Sequence, residues 1–89
     1  MRAVVTVTGS DRRGIIAKVS GFLFERNVNI EDISQTILGD QFAMIMIADM
    51  SECKMGFAEL AKELAEMGEK IGMTVRIQHA DIFDAMHNI

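Results

Sequence analysis

The densest chemistry in this sequence lies in one short segment, Gly9-Ser10-Asp11-Arg12-Arg13-Gly14-Ile15. Gly14 stands where a helix should open. The first-turn backbone N–H groups of a helix have no intrahelical partner, carry partial positive charge and suit a carboxylate. A residue without Cβ at that point lets a ligand come close to the backbone. Arg12 or Arg13 can add a charge-assisted bond to the same anion. Asp11 can accept hydrogen bonds from an ammonium group, and Asn29, further along, can both donate and accept. An anion pocket beside such an acceptor is what a free amino acid needs. A plainer account of the same residues is that Asp11 caps the helix, Gly14 turns the chain and Asn29 ends a loop.

Other chemistry-bearing residues are scattered. Cys53 stands at an expected helix start, where the helix dipole can lower a thiol pKa, but no histidine is near it in sequence. His79 with Asp81, and Asp84 with His87, are two-ligand patterns that arise readily by chance. Glu31 and Asp32 are adjacent in an expected strand and so should face opposite ways, Asp32 on the side of Ile30 and Glu31 on the side of Asn29. They read as charges guarding a sheet edge rather than as an acid–base pair. No catalytic residue, metal site or cofactor is expected.

The elements that must position these residues fit one small domain, residues 1–89. The 89 residues are 49% hydrophobic and 25% charged, a globular balance that excludes a disordered tail. No apolar run approaches the roughly 20 residues a membrane helix needs, and no secretion signal is read at the N-terminus. One cysteine cannot make an internal disulfide, which points to a reducing cytoplasm. A net charge of −4 argues against a nucleic-acid partner. Eight methionines and the small size favour association with another surface.

Arg2–Thr8 reads as a strand rich in valine, and Gly14–Arg26 as a helix with Ile15, Val19, Phe22 and Leu23 on one stripe, capped by Asp11 or Ser10. Val28–Leu38 is a long polar strand of the kind found at sheet edges. Gly39-Asp40 turns it into Gln41–Met50, a strand apolar on both sides and therefore central. Ser51–Gly72 holds the second helix, with Phe57, Leu60, Leu64, Met67 and Ile71 inward. Met73–Ala80 alternates as a half-exposed strand, and Asp81–Ile89 reads as a short helical tail. The order βαββαβ defines an α+β, ferredoxin-like sandwich: a four-stranded antiparallel sheet with two helices on one face. The second apolar side of the third strand then requires a cover, either the tail or a second copy.

Val4-Val5-Thr6-Val7 before Gly9, then Asp11-Arg12-Arg13-Gly14-Ile15-Ile16, then Asn27-Val28-Asn29-Ile30 resemble the ACT domain pattern. In that pattern a first strand leads to a D-R-P-G-I loop, a helix and a V-N-I strand opening. The match runs the length of the chain. Arg13 stands where the family usually has proline, a change that a strand-to-helix turn tolerates. The tail is similar to that of short stand-alone ACT proteins of bacteria and archaea, and the regulator of the glycine cleavage system is similar in kind. The resemblance implies a non-catalytic regulatory module that binds an amino acid between paired domains. The ligand would lie between the loop after strand one and strand two of the partner. Carried over, the contacts are Gly9, Asp11, Arg12, Gly14, Ile15, Asn29 and Ile30.

The reading that follows is a homodimer that senses a small molecule and acts in trans on another protein. Its dimer forms either by pairing edge strands or by stacking sheet faces. A ligand-free interaction domain is the rival. Two other uses of this topology fit less well. RNA-binding sheets display aromatics on their central strands, and here only Phe42 is available. An acylphosphatase-like enzyme would find an echo in Arg12, Arg13 and Asn29 but lacks its glycine-rich loop.

Overall fold

The computed structural model describes residues 1–10 and 14–81. Six elements follow in chain order: β1 (Arg2–Gly9), α1 (Ile15–Glu25), β2 (Asn29–Leu38), β3 (Gln41–Asp49), α2 (Phe57–Lys70) and β4 (Thr74–His79). The sheet runs in the order β2-β3-β1-β4, with every neighbouring pair antiparallel. Each helix connects two strands that follow one another in sequence but are not adjacent in the sheet, as the split βαβ arrangement requires. The order of elements ends at β4 among the described residues. The helical tail expected over Asp81–Ile89 falls, Asp81 apart, outside them.

The core is the layer between the sheet and the helices. β1 contributes Ala3, Val5 and Val7, β3 contributes Phe42, Met44, Met46 and Ala48, and β4 contributes Val75 and Ile77, with Met73 just before it. The alternate residues of β1 and β3 face the other way, which is the period-two signature of strands. Against this layer α1 places Ile15, Val19 and Leu23, and α2 places Leu60 and Leu64, all buried. α1 lies over β2, and α2 over β4. Gly68 lets α2 sit close to the sheet, because a Cβ there would stand 2.8 Å from both the Met73 carbonyl oxygen and Val75 Cγ2.

One side chain ties the helices together at the end of α1. The Arg26 guanidinium donates from Nε to Glu63 Oε1 at 3.0 Å and from a terminal nitrogen to the Phe22 carbonyl at 2.9 Å. Its central carbon lies 3.5 Å from the Phe22 ring centroid. Phe22 is therefore turned toward α2 rather than straight down onto the sheet.

Three expectations need correction. The second helix begins at Phe57, not near Ser51. The Asp49 carboxylate takes the Ser51 N–H at 3.0 Å, and the Cys53 N–H bonds the Met50 carbonyl at 3.0 Å, so these residues make a turn. Cys53 consequently sits in a loop, half-buried, and not at a helix start. Second, β2 has a bulge between Ile30 and Asp32. Ile30 pairs with Ala48 but Asp32 with Ile47, so Asp32 lies on the face away from the helices, opposite to Ile30. Third, the face of β3 carrying Ala43, Ile45 and Ile47 is not fully buried, and Ile45 keeps 37% of its surface exposed. β3 is nevertheless central, and β2 is an edge as its polar composition foretells.

Candidate functional site

Of the residues read from sequence, Gly9, Gly14 and Ile15 stand at one end of the sheet, where β1 leaves and α1 begins. Asp11 and Arg12 lie between them in sequence, outside the described residues. Gly14 is the N-cap of α1 with φ of 69°, a left-handed conformation that a side chain makes costly. Among the described residues no side chain caps this helix start, and its first turn carries no acidic residue. Ser10 therefore does not act as the cap. With no acidic residue in its own first turn, the helix start offers partial positive charge to an anion.

Asn29 and Ile30 are at the other end. Asn29 pairs with Asp49, which pairs with Arg2, whereas Gly9 pairs with Phe42, which pairs with Ile37. Seven residue rows separate Arg2 from Gly9, about 24 Å at the rise of a strand. One chain therefore does not bring the two halves of the expected site together. They meet only if a second copy supplies one half.

Around the Gly9 end a surface cavity of about 320 Å³ is lined by Ser10, Ile37, Gly39, Asp40, Gln41 and Phe42. Asp40 brings a carboxylate and Gln41 an amide to its rim. Sequence reading used Gly39-Asp40 only as a turn between strands. Nothing in the local pattern distinguishes a turn aspartate from one that borders a cavity, so only the pairing of β1 with β3 exposes its place.

A larger hollow of about 620 Å³ lies at the opposite end, lined by Met1, Arg2, Val4, Ile47, His79, Ala80 and Asp81. It contains none of the expected contacts. Its guanidinium is already engaged, Arg2 Nε lying 2.9 Å from Glu31 Oε1. His79 stacks on Phe57 with ring centroids 4.1 Å apart. Among the described residues no three His, Cys, Asp or Glu side chains converge as a metal site would need. No helix among the described residues is long and apolar enough to cross a membrane.

A two-layer βαββαβ sandwich with sheet order β2-β3-β1-β4 is an α+β domain of the ferredoxin-like class. The chain belongs to the ACT domain family, whose model matches residues 2–78. A UPF0237 protein of Methanocaldococcus jannaschii is 54% identical over 88 residues, covering 99% of this chain and 98% of that protein. One from Methanopyrus kandleri is 52% identical over 88 residues, with the same coverage. Among solved structures, an ACT domain protein from Streptococcus pneumoniae superposes with a TM-score of 0.84 at 40% identity, covering 94% of each chain. A structure described as a putative glycine cleavage system transcriptional repressor shares the fold at a TM-score of 0.70 and 22% identity, covering 86% of this chain and 44% of that one.

Proposed function

We propose that residues 1–89 form a non-catalytic regulatory domain that binds an amino acid at the interface of a homodimer. In this reading it acts in trans on another protein in the cytoplasm. The observation that carries it is the start of α1, open at Gly14, uncapped by any described side chain and free of acidic residues in its first turn. That arrangement favours a carboxylate. The neighbouring cavity offers Asp40 and Gln41 for an ammonium group. Asp11 and Arg12 belong to the same loop by sequence, and Asn29 and Ile30 of a second copy complete the contacts. Membership of the ACT family supports the ligand class, because the family resemblance implies amino-acid binding.

A ligand-free interaction domain is the second reading. It is favoured by Phe24, 80% exposed, and Ile37, 52% exposed, which invite a protein surface rather than a metabolite.

Thermal unfolding followed by circular dichroism, against a panel of amino acids, separates the two. A ligand at one hundred times its dissociation constant stabilises by about 2.7 kcal/mol. For a chain of this size that raises the midpoint by roughly 10–20 °C. One amino acid and its close analogues should give the shift, and Asp11→Ala and Asn29→Ala should each abolish it. If no amino acid moves the midpoint, the ligand reading fails and the interaction domain stands.

A further inference from the structure

The face of the sheet turned away from the helices is open at one end and closed at the other. On β1, Thr8 is exposed, Thr6 half-buried and Val4 buried. On β4, Thr74 and Arg76 are exposed and Gln78 is half-buried. On β3, Ile45 is exposed and Ile47 half-buried. The register sets Val4 in one row with Ile47 and Gln78, and β2 brings Asp32 to the same row, where it is exposed. A cover therefore lies over β4, β1 and the near side of β3 toward the Arg2 end, and stops short of β2.

Val4 defines that cover. It keeps 2% of its surface, against 37% for Ile45 on the same face. Yet it stands outside the core that takes Ala3, Val5 and Val7. Its neighbours on this face are Arg2 and Thr6 along β1, and Ile47 and Gln78 on the adjoining strands. Side chains of one sheet face stand next to one another, and none of them lies on top of its neighbour. Burial to this depth needs a second layer. Because Val4 is buried within a single chain, a second copy does not account for it.

The end of the chain leads to the same place. β4 ends at His79, and Ala80 and Asp81 take up helical conformation. His79, Ala80 and Asp81 line one hollow together with Val4 and Ile47, so the chain turns under the sheet as it leaves β4. Residues 82–89 come next, outside the described residues. At 100° per residue Ile82, Met86 and Ile89 fall within about 60° of one another, with Phe83 beside them, while Asp84, His87 and Asn88 fall on the other side. Eight helical residues measure about 12 Å, and the step from β4 across β1 to β3 is about 10 Å.

We infer that residues 82–89 dock as a short amphipathic helix across the open face of their own sheet, their apolar stripe over Val4 and Ile47. The length accounts for where the cover stops, since it reaches β3 and leaves Asp32 of β2 in solvent. The direction accounts for where it starts, since the chain leaves β4 at the Arg2 end, away from Thr8, Ile45 and Thr74. The polar side of the segment then faces water in place of the valine and isoleucine beneath it.

The test is methyl NMR on the whole chain. Nuclear Overhauser contacts should join the Met86 and Ile89 methyls to those of Val4 and Ile47, and none should reach Ile37 on the other face. A sample mixing differently labelled chains should show these contacts within one chain and not between chains. Met86→Lys should erase them, shift the Val4 and Ile47 methyl signals and lower the melting midpoint by roughly 5–15 °C, the loss expected for one buried methionine. Asp84→Lys, on the polar side, should leave the methyl signals and the midpoint in place. Absence of the contacts in the wild type overturns the proposal even if Met86→Lys fails to fold. Contacts seen only between chains overturn it in favour of a segment exchanged with a second copy, and unchanged Val4 and Ile47 signals in a folded Met86→Lys overturn it as well.

Discussion

Asp49 shows how one residue works at the end of β3. Its carboxylate accepts the Ser51 hydroxyl at 2.6 Å and the Ser51 N–H at 3.0 Å. These bonds, chiefly the hydroxyl, hold its pKa below the ordinary 3.8, with smaller help from the amino terminus and Arg2. A depressed carboxylate pKa contributes stability that is fully present above the unfolded value and is lost as pH falls through the folded one. The loss from this group therefore belongs below pH 3.8. Ser51→Ala should move the Asp49 titration up toward its ordinary value, as read by carboxyl NMR, and should shift the acid-side loss of stability in the same direction. An unmoved titration would show that the backbone bond alone sets it. The site residues are harder to read singly. Gly14 is legible because an apolar stripe begins right after it. Asp40 is not, because its chemistry in a turn and at a cavity rim looks the same in sequence.

Elements differ in how tightly they are held, and two helix glycines expose the difference. Gly21 of α1 has nothing within 4 Å of where a Cβ would stand. Gly21→Ala should stabilise by about 0.5–1 kcal/mol through helix propensity alone. Gly68 of α2 would drive a Cβ to 2.8 Å from the Met73 carbonyl oxygen, a backbone atom that cannot step aside alone. Gly68→Ala should therefore cost about 1–3 kcal/mol despite the same gain in propensity. Urea unfolding of the two variants should give opposite signs, and matching signs would contradict the close approach of α2 to β4. Element identities were readable because burial imposes its period: the valines of β1, the alternation of Met73, Val75 and Ile77, and the stripe of Leu60 and Leu64 each bury one face. The start of α2 was not, since Ser51–Gly56 adjoin a helical stripe in sequence while Ser51 and Cys53 spend their N–H groups on turn bonds. The bulge at Glu31 was not either. Polar residues alternate as well on a bulged edge as on a straight one, so no hydrophobic pattern marks the slip that carries Asp32 to the other face.

At the scale of the whole molecule, the distance between Gly9 and Asn29 is the governing fact. Seven rows of sheet separate them, so a site using both belongs to a pair of chains. Folding, pairing and binding are then one linked equilibrium. For a chain that folds as a dimer, a tenfold rise in protein concentration adds about 1.4 kcal/mol per dimer. The melting midpoint should rise by roughly 3–5 °C for each such step in the absence of any ligand. A ligand held across the interface favours the paired state, and pairing must favour the ligand by the same factor. Titrations at protein concentrations above and below the dimer dissociation constant should accordingly give tighter binding in the concentrated sample. Equal affinity in dilute and concentrated wild type would place the whole site within one chain, which a separation of about 24 Å between its two halves does not allow. The ligand would then contact the Gly14 end alone, and Asn29→Ala would leave its affinity unchanged.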